Sequence, residues 1–525
     1  MSDVKEQQRN ELHRTIWAIA NDLRGSVDGW DFKQYVLGTM FYRFISEALS
    51  DYIDSGEHAS GNIAFEYSKL DDETALLDKE GIVAEKGLFI LPSELFCNVT
   101  ARADYDSDLN ETLERAFQNI EGSAAGAPSE GDLRGLFDDF DVNSPKLGNT
   151  VKERNGKLAR LLEQIASLDL GRFGDNTIDA FGDAYEYLMT MYAGSAGKSG
   201  GEFFTPQEVS ELLARIVCEG RAEVNKVYDP ACGSGSLLLK FAKILGPEHV
   251  RQGYFGQEIN LTTYNLCRIN MFLHDVGFEK FDIALGDTLR SPKHWDDEPF
   301  DAIVSNPPYS IGWAGNSDPT LIDDPRFSPA GVLAPKSKAD LAFTMHMLSW
   351  LSTEGTAAIV EFPGVLYRGG AERKIRKYLI DNNFVDAIIQ LPSNLFFGTS
   401  IATCILVLRR SKTTNDVLFI DASSEYVHSG NKNKLSSRNI SRILDAYSAR
   451  ENRDLFCSVI PNQLIADPSG NNYNVSVSSY VDTSEPPEKV DIEGLNAEIT
   501  RIVAREDELR RSIDAIVADI EGGKI

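Results

Sequence analysis

The chain contains few cysteines, and their spacing matches no paired cysteine motif. Its 525 residues include 6 cysteines that stand singly, without a C-x-x-C pair or a spacing typical of a zinc site. This usage is typical of reduced thiols in a cytosolic protein, and it argues against a disulfide-stabilised secreted fold. We therefore expect a cytoplasmic protein without a metal site.

Long apolar runs are also absent. No stretch approaches the roughly 20 apolar residues that span a bilayer, and residues Met1–Glu6 do not resemble a signal peptide. We find no repeat and no low-complexity tract, and 42% of the residues are hydrophobic. We therefore expect no membrane partner, and the length allows about three domains with sizeable cores.

Positive charge is scarce. The chain carries 52 lysines and arginines against 80 acids, which gives a net charge of −28. Such a balance is unfavourable for holding the phosphates of a nucleic acid. If DNA is a ligand, either the surface facing it is locally basic or another subunit supplies most of the affinity.

The most informative motif is Asn306-Pro-Pro-Tyr309, which follows the apolar run Phe300–Ser305. The two prolines fix φ and remove two backbone donors, so this turn mainly offers acceptors. Asn306 adds a side-chain acceptor, and Tyr309 adds a ring for stacking. Two acceptors and a ring suit a planar group with an exocyclic amine, such as adenine. The alternative is a strand leading into an ordinary turn.

A second motif lies upstream, where Val227–Ser236 predicts a strand, a glycine loop and a helix. Gly233 and Gly235 let the backbone approach a ligand closely at a helix N-terminus. The loop lacks the third glycine of the dinucleotide fingerprint, because Leu238 stands in its place. A tight turn without a ligand explains the loop alone equally well.

Two acids end later predicted strands. Glu258 closes the run from Tyr254, and Asp287 follows Ile283-Ala-Leu-Gly. An acid at the next strand end commonly binds ribose hydroxyls, and Asp287 is placed to accept from a cofactor amino group. Each acid alone is more often solvated, but ligands of open α/β sheets bind at the carboxyl ends of strands.

The segment Gly201-Glu-Phe-Phe-Thr-Pro206 precedes the glycine loop. It has the features of a helix start, with Thr205 as N-cap, Pro206 at the first helical position and Glu208 closing a capping box. Capping alone is the simpler interpretation of these residues.

Together these motifs resemble the gamma-type amino-methyltransferases, which use S-adenosylmethionine. The resemblance implies that the segment Gly201–Pro206 contacts the methionine part of the cofactor. It also implies that Asn306 contacts both the cofactor and the substrate. The implied cofactor-binding residues are Phe204, Thr205, Pro206, Asp229, Gly233, Ser234, Gly235, Glu258, Asp287 and Asn306.

The resemblance also implies a mechanism. The target adenine is flipped out of the duplex, Tyr309 stacks on it, and Asn306 and the Pro307 carbonyl accept its amino hydrogens. Phe396 is preferred slightly over Phe397 as a second aromatic wall. No covalent nucleophile is needed, and Cys232 does not lie in the Pro-Cys pair of a cytosine-ring methyltransferase.

The closest family resemblance is to the methyltransferase (M) subunits of type I restriction–modification systems. It rests on the opening Leu23–Tyr35, on Lys336–Phe343 and on Leu391–Thr399. It implies that this chain binds double-stranded DNA, a specificity (S) subunit that selects the site, a second M copy and a restriction (R) subunit. We therefore expect weak DNA binding by the chain alone. Residues 311–335 carry no assignment.

We expect a doubly wound α/β methyltransferase sheet, an all-helical N-terminal domain and a C-terminal coiled-coil-like helix. The predicted regions are a helical domain over 1–165, a catalytic domain over 166–425, an irregular connection over 426–487 and a docking helix over 488–525. A glycine-rich link is predicted at 192–201, just before the first cofactor motif. Apolar residues from Ile492 to Ile520 recur at spacings of three, four or seven.

Three alternatives stay open. The first is an Asn-Pro-Pro-Tyr enzyme acting on protein glutamine or RNA guanine, against which the helical N-terminal region and the heptad-like tail argue. The second is a cytosine amino-methyltransferase, in which serine more typically replaces Asn306. The third is a non-catalytic scaffold that binds cofactor and partners, which the intact motif set disfavours.

Overall fold

A computed structural model describes residue 14 and residues 31–168, 187–188, 205–396, 399–482 and 492–522. The predicted link at 192–201, Phe204 and Phe397 lie outside these residues. Residues 31–168 contain helices and no strand. The helices are α1 (Asp31–Ala59), α2 (Asp72–Ala75), α3 (Lys79–Lys86), α4 (Phe96–Arg102), α5 (Leu109–Ser123), α6 (Glu130–Leu133) and α7 (Val151–Ala166).

This helical region is held by an aromatic core and by well-formed helix ends. The rings of Phe117 and Phe137 stack with centroids 4.3 Å apart. A capping box starts α7, since Thr150 accepts from the Glu153 amide and the Glu153 carboxylate accepts from the Thr150 amide. Short-range sequence signals of this kind fix the helix boundaries locally.

A nine-stranded sheet forms the centre of the rest of the chain, in the order β11-β8-β6-β7-β5-β4-β1-β2-β3. Neighbouring strands from β3 to β5 are parallel, whereas β7 runs antiparallel between β5 and β6. A separate hairpin contains β9 and β10. The strands are β1 (Val224–Asp229), β2 (Val250–Glu258), β3 (Phe281–Leu285), β4 (Phe300–Ser305), β5 (Leu351–Glu361), β6 (Val385–Gln390), β7 (Cys404–Arg409), β8 (Asp416–Asp421), β9 (Val427–Ser429), β10 (Lys432–Lys434) and β11 (Cys457–Pro461).

Helices cover both faces of the sheet, so the central strands are apolar on both sides. In β4, Ala302 and Val304 belong to one core, and Ile303 belongs to the other. This confirms the predicted doubly wound α/β sheet. The remaining helices of this part are α8 (Gln207–Val217), α9 (Ser236–Leu245), α10 (Leu261–Leu273), α11 (Asp340–Trp350), α12 (Gly364–Tyr367), α13 (Gly370–Asp381), α14 (Ser437–Ala449) and α15 (Asn462–Ala466).

The structure differs from the predicted organisation after residue 425. Residues 426–482 are not irregular, because they contain β9, β10, α14, β11 and α15. Since β11 pairs with β8, the central sheet continues well past the predicted catalytic boundary. Short strands separated by polar turns hid this continuation in the sequence.

Helix α10 connects the helical region to the sheet. Arg268, which is buried, donates to the carbonyl oxygens of Gly131, Asp132 and Arg134 at 3.0–3.2 Å. Its neighbour Asn265 donates to the Asp139 carboxylate at 3.1 Å. One helix therefore packs against the sheet and also binds α6 and the residues that follow it.

The C-terminal helix α16 (Ile492–Gly522) forms a separate unit with residues from Asp482 onward. This confirms the predicted helix. Its apolar side chains are more than half exposed at Ile499, Ile502, Leu509, Ile513, Ile516 and Ile520. Among the described residues, no helix is both long and apolar enough to cross a membrane.

Candidate active site

Four predicted ligand groups lie at the carboxyl edge of the parallel strands. Asp229 and Glu258 are the last residues of β1 and β2, Asp287 follows β3, and Asn306 follows β4. The order β3-β2-β1-β4 places these four strand ends side by side. The structure therefore brings together, at one edge, groups that are spread over nearly eighty residues of sequence.

The glycine loop runs from β1 to α9, and its two glycines serve different purposes. Gly235, at φ +76°, leaves no room for a side chain, because an added Cβ would lie 2.7 Å from the Cys267 sulfur. Gly233, at φ +54°, has nothing within 4 Å of that position. Gly233 therefore leaves open space for a ligand, whereas Gly235 is needed for packing on α10. The Ser234 carbonyl accepts from Asn270 at 2.8 Å.

Asp229 and Glu258, at the ends of β1 and β2, hold the glycine loop in place. Glu258 accepts from the Gly233 amide at 3.1 Å and from the Asn260 amide at 2.8 Å, and burial raises its pKa. Asp229 is 2% exposed and accepts from the Ala231 amide and the Ser305 hydroxyl at 3.0 and 2.8 Å. Burial raises the pKa of Asp229 to about 7. Asp229 thus connects the glycine loop to the strand that carries Asn306.

Asp287 lies in a turn that the unassigned segment supports. Its carboxylate accepts from the Leu289 amide at 3.0 Å. The next two carbonyls, of Thr288 and Leu289, each accept from buried Arg326 at 2.8 Å, and Arg326 is paired with Asp324 at 2.8 Å. Residues 311–335 therefore pack against this turn. The sequence signal was a lone arginine two residues after an acid, which is not specific.

Asn306 is held at both ends of its amide. Its Nδ2 donates to the Thr205 hydroxyl at 2.9 Å, and its Oδ1 accepts from the Tyr309 hydroxyl at 2.6 Å. The amide oxygen consequently faces Tyr309, and Asn306 is 9% exposed. Pro307 is also buried. Burial, with a contribution from Glu361, raises the pKa of Tyr309 well above its usual value, so the phenol stays neutral.

The predicted capping role of the preceding segment is wrong. Helix α8 begins at Gln207, Pro206 occupies the N-cap position, and no side chain caps the helix. Thr205 instead supplies the hydroxyl that binds the Asn306 amide. At Thr205, a partner 101 residues away in the chain has therefore replaced the predicted local one.

The aromatic wall is arranged around Tyr309. The Phe362 ring centroid lies 5.7 Å from that of Tyr309, and Phe396 meets Tyr309 edge-on at 6.4 Å. Phe396 is 1% exposed and lies in the core. Phe362 directly follows β5, and no sequence motif marked it.

A buried acid beside the aromatic wall was also overlooked. Glu361 is fully buried at the end of β5 and accepts from the Thr344 hydroxyl at 2.8 Å. Burial and the nearby Asp340 raise the pKa of Glu361 well above its usual value. Asp340 itself accepts from the Ser310 amide at 3.0 Å, which supports the turn after Tyr309. An acid ending an apolar strand run was the available signal.

Cys232 is unsuited to nucleophilic attack. A side-chain hydrogen bond with Cys267, together with burial, raises the pKa of Cys232 well above its usual value. A thiol in such surroundings stays protonated and unreactive. That no cysteine acts as nucleophile stays a prediction.

Comparison with known families accounts for nearly the whole chain. Residues 176–489 match the family described as N-6 DNA Methylase, and residues 12–165 match the HsdM N-terminal domain. The type I restriction enzyme MpnII methylase subunit of Mycoplasma pneumoniae is 48% identical over 538 residues, covering 99% of this chain and 98% of the relative.

Solved structures agree. The crystal structure of a type I restriction–modification methyltransferase subunit from Streptococcus thermophilus matches with a TM-score of 0.81 and 36% identity, covering 90% of this chain and 100% of that one. A structure from work on complex assembly and conformational transition of the type I system shares the fold, with a TM-score of 0.63, 17% identity and coverage of 98% and 99%. The chain therefore belongs to the family of methyltransferase subunits, the modification subunits, of type I restriction–modification systems.

Proposed function

We propose that this chain transfers a methyl group from S-adenosylmethionine to the N6 amino group of a flipped-out adenine in DNA, at a site selected by a partner specificity subunit. The observation that carries the proposal is the fixed Asn306 amide at the end of β4. Its oxygen and the neighbouring Pro307 carbonyl form an acceptor pair for an amine with two hydrogens.

The residues at the strand ends fit S-adenosylmethionine. The space at Gly233 admits a ligand close to the backbone, and the Glu258 carboxylate keeps lone pairs for ribose hydroxyls beyond the two amides that it accepts. Thr205, Pro206, Asp229, Ser234, Gly235 and Asp287 complete the proposed binding set, together with Phe204. When bound, this cofactor would supply a methyl group on a sulfonium, from which a neutral thioether departs as a good leaving group.

The side chains around Asn306 act by positioning and electrostatics. Thr205 and Tyr309 hold the two ends of the Asn306 amide, with Nδ2 directed at Thr205 and Oδ1 directed at Tyr309. Oδ1 and the Pro307 carbonyl then accept both amino hydrogens and direct the nitrogen lone pair away from them. After transfer, the nitrogen loses a proton to water, so no protein base is required.

An adenine in a duplex must leave the stack to reach this site. Tyr309 offers its ring to the base, with Phe362 beside it. The edge-on contact of Phe396 with Tyr309 leaves no parallel face between the two rings. We therefore expect the loop that carries Phe396 to shift when the base enters, and the role of Phe396 stays a prediction.

Partner subunits complete the proposed function. The exposed apolar side chains of α16 form a stripe that suits docking to helices of a specificity subunit. A solved relative of the same fold comes from work on assembly of a type I complex. We propose that the chain works with a second copy of itself and a specificity subunit, joined by a restriction subunit in the full complex, and that it binds DNA weakly alone.

The deciding experiment measures methyl transfer from labelled S-adenosylmethionine to DNA, with and without a co-expressed specificity subunit, followed by nucleoside analysis. We expect N6-methyladenine only when the partner is present. Cofactor binding without any DNA methylation would contradict the proposal and favour a protein or RNA substrate or a scaffold. Detection of N4-methylcytosine instead would show that the target base is cytosine and not adenine.

A further inference from the structure

The β9–β10 hairpin projects beside the candidate active site. Its strands pair antiparallel, with Lys432 opposite Ser429, and Gly430 at φ +58° opens the two-residue turn. All of β9 and the end of β10 are exposed. We call residues 426–438, from Tyr426 to Arg438, the basic hairpin.

The basic hairpin is attached to both sides of the site. Lys432 Nζ donates to the carbonyls of Phe396 and Thr399 at 2.7 and 3.3 Å, so it holds the loop of the aromatic wall. At the other side, helix α14, which follows the hairpin strands, packs against α8, and α8 begins just after Thr205 and Pro206. The exposed residues of the basic hairpin therefore stand at the rim of the proposed base pocket.

The charge of this segment is opposite to that of the chain. Between Glu425 and Asp445 there is no acid, although the whole chain has a net charge of −28. Lys432 holds the loop, and Arg442 pairs with Glu425. The remaining cations of this stretch, Lys434 and Arg438, are exposed and form no salt bridge within the described part of the chain, although Lys434 lies near enough to Glu208 for its charge to lower the pKa of that carboxyl.

Two rings accompany these cations. Tyr426 is 36% exposed, and its ring centroid lies 5.2 Å from that of His428, which is also exposed. Cations interleaved with exposed aromatic rings are a common arrangement in surfaces that bind single strands of nucleic acid. DNA is locally single-stranded where a base has left the stack.

We propose that the basic hairpin binds the phosphates that flank the flipped adenine, with Lys434 and Arg438 as the contacting cations. This inference rests on the proposed function. A base that enters the pocket brings its own flanking phosphates to the rim, where an acidic protein needs local positive charge. The hairpin supplies that positive charge locally, within a chain whose net charge is −28.

The test uses the complete chain in complex with a co-expressed specificity subunit. The variant Lys434→Glu/Arg438→Glu is compared with the matched control Arg373→Glu/Lys374→Glu, which reverses two exposed charges on α13. The measurements are KM for DNA at several salt concentrations, kcat at saturating DNA, S-adenosylmethionine affinity and complex assembly. The milder variant Lys434→Gln/Arg438→Gln guards against misfolding caused by charge reversal.

We expect the hairpin variant to raise KM for DNA by roughly tenfold or more and to reduce the salt dependence of log KM by about two units of slope, since each phosphate contact contributes about 0.9. The neutral variant should lie between wild type and reversal, and the control should match wild type. Unchanged KM and slope would overturn the inference. So would loss of assembly with intact cofactor binding, because the hairpin would then bind the partner subunit. A wild-type complex that methylates no DNA would refute the proposed function first, and the hairpin inference with it.

Discussion

The side-chain amide of Asn306 donates a 2.9 Å hydrogen bond to the hydroxyl of Thr205, 101 residues earlier in the chain. This bond joins the turn after β4 to the segment before α8. With Nδ2 directed at Thr205, the amide oxygen faces the Tyr309 hydroxyl. A residue outside the motif therefore holds the amide that carries the proposed acceptor.

Removing this hydroxyl should slow methyl transfer. In Thr205→Val the Asn306 amide loses its partner and can rotate, so we expect kcat to fall by about tenfold, equivalent to about 1.4 kcal/mol. Thr205→Ser retains the hydroxyl and should stay close to wild type. Single-turnover methylation by the complex with a specificity subunit measures the effect. A fully active Thr205→Val would show that the bond does not position Asn306.

Asn306→Ala removes the acceptor itself. We expect a loss of roughly 10²–10³-fold in kcat, because the amino group loses a preorganised partner as charge develops. Tyr309→Phe, which removes only the hydroxyl that donates to Asn306 Oδ1, should have a smaller effect. Isothermal titration should show that Tyr309→Phe retains cofactor affinity. An Asn306→Ala variant that still methylated DNA would refute the whole site assignment.

Asp229 should make stability depend on pH. Its pKa rises from 3.8 to about 7 on folding, so the folded chain binds this proton more tightly than the unfolded chain. The associated stabilisation is present below pH 3.8 and is lost as the pH rises to about 7. Asp229→Asn stays neutral and can still accept from Ala231 and Ser305, so its stability relative to wild type should rise by about 4 kcal/mol as the pH rises through this window.

Chemical unfolding of wild type and Asp229→Asn between pH 4 and 8 checks this prediction. The exposed charge removal Glu279→Gln serves as the control. A difference in unfolding free energy that stays constant over this range would mean that Asp229 is ionised in the folded chain throughout.

Arg326 should affect cofactor affinity although it lies outside the proposed binding set. It binds the carbonyls of Thr288 and Leu289, which directly follow Asp287. Arg326→Met frees this turn, and we expect S-adenosylmethionine binding to weaken by about tenfold. It also leaves the Asp324 carboxylate unpaired, which should cost about 3–5 kcal/mol of stability.

Calorimetric titration at low temperature, with folding checked by circular dichroism, separates these two effects. Arg326→Lys keeps the charge near Asp324 but cannot bind both carbonyls in the geometry of a guanidinium. It should recover stability more than cofactor affinity. Equal affinity in folded Arg326→Met and wild type would contradict the role of Arg326 in supporting the turn.

The stripe on α16 should be needed for assembly. The double variant Ile513→Asp/Ile516→Asp places charges on exposed apolar positions one turn apart, and we expect it to abolish co-purification with a specificity subunit. Arg511→Asp, on the opposite side of the helix, is the matched control. Deletion of residues 488–525 should give the same loss and leave cofactor binding intact. An assembled complex from the deleted chain would exclude α16 as the docking element.

The sequence by itself determined the features that depend on neighbouring residues. Three such features were predicted at positions where the structure has them: the glycine loop between β1 and α9, the acids at the ends of β2 and β3, and the strand that leads into Asn306. Residue patterns of this kind are local, because apolar periodicity, prolines and glycines constrain the backbone within a few residues.

Only the tertiary structure decided which distant groups meet. The antiparallel β7 between β5 and β6, and the addition of β8 and β11, follow from strand pairing rather than from any short pattern. Because of this strand order, Thr205 binds Asn306 and does not cap a helix. The same order brings Arg326 to the turn after Asp287, and Lys432 to the loop that carries Phe396. Hydrogen bonds across such separations depend on how the whole sheet is ordered, and no local window of sequence contains that order.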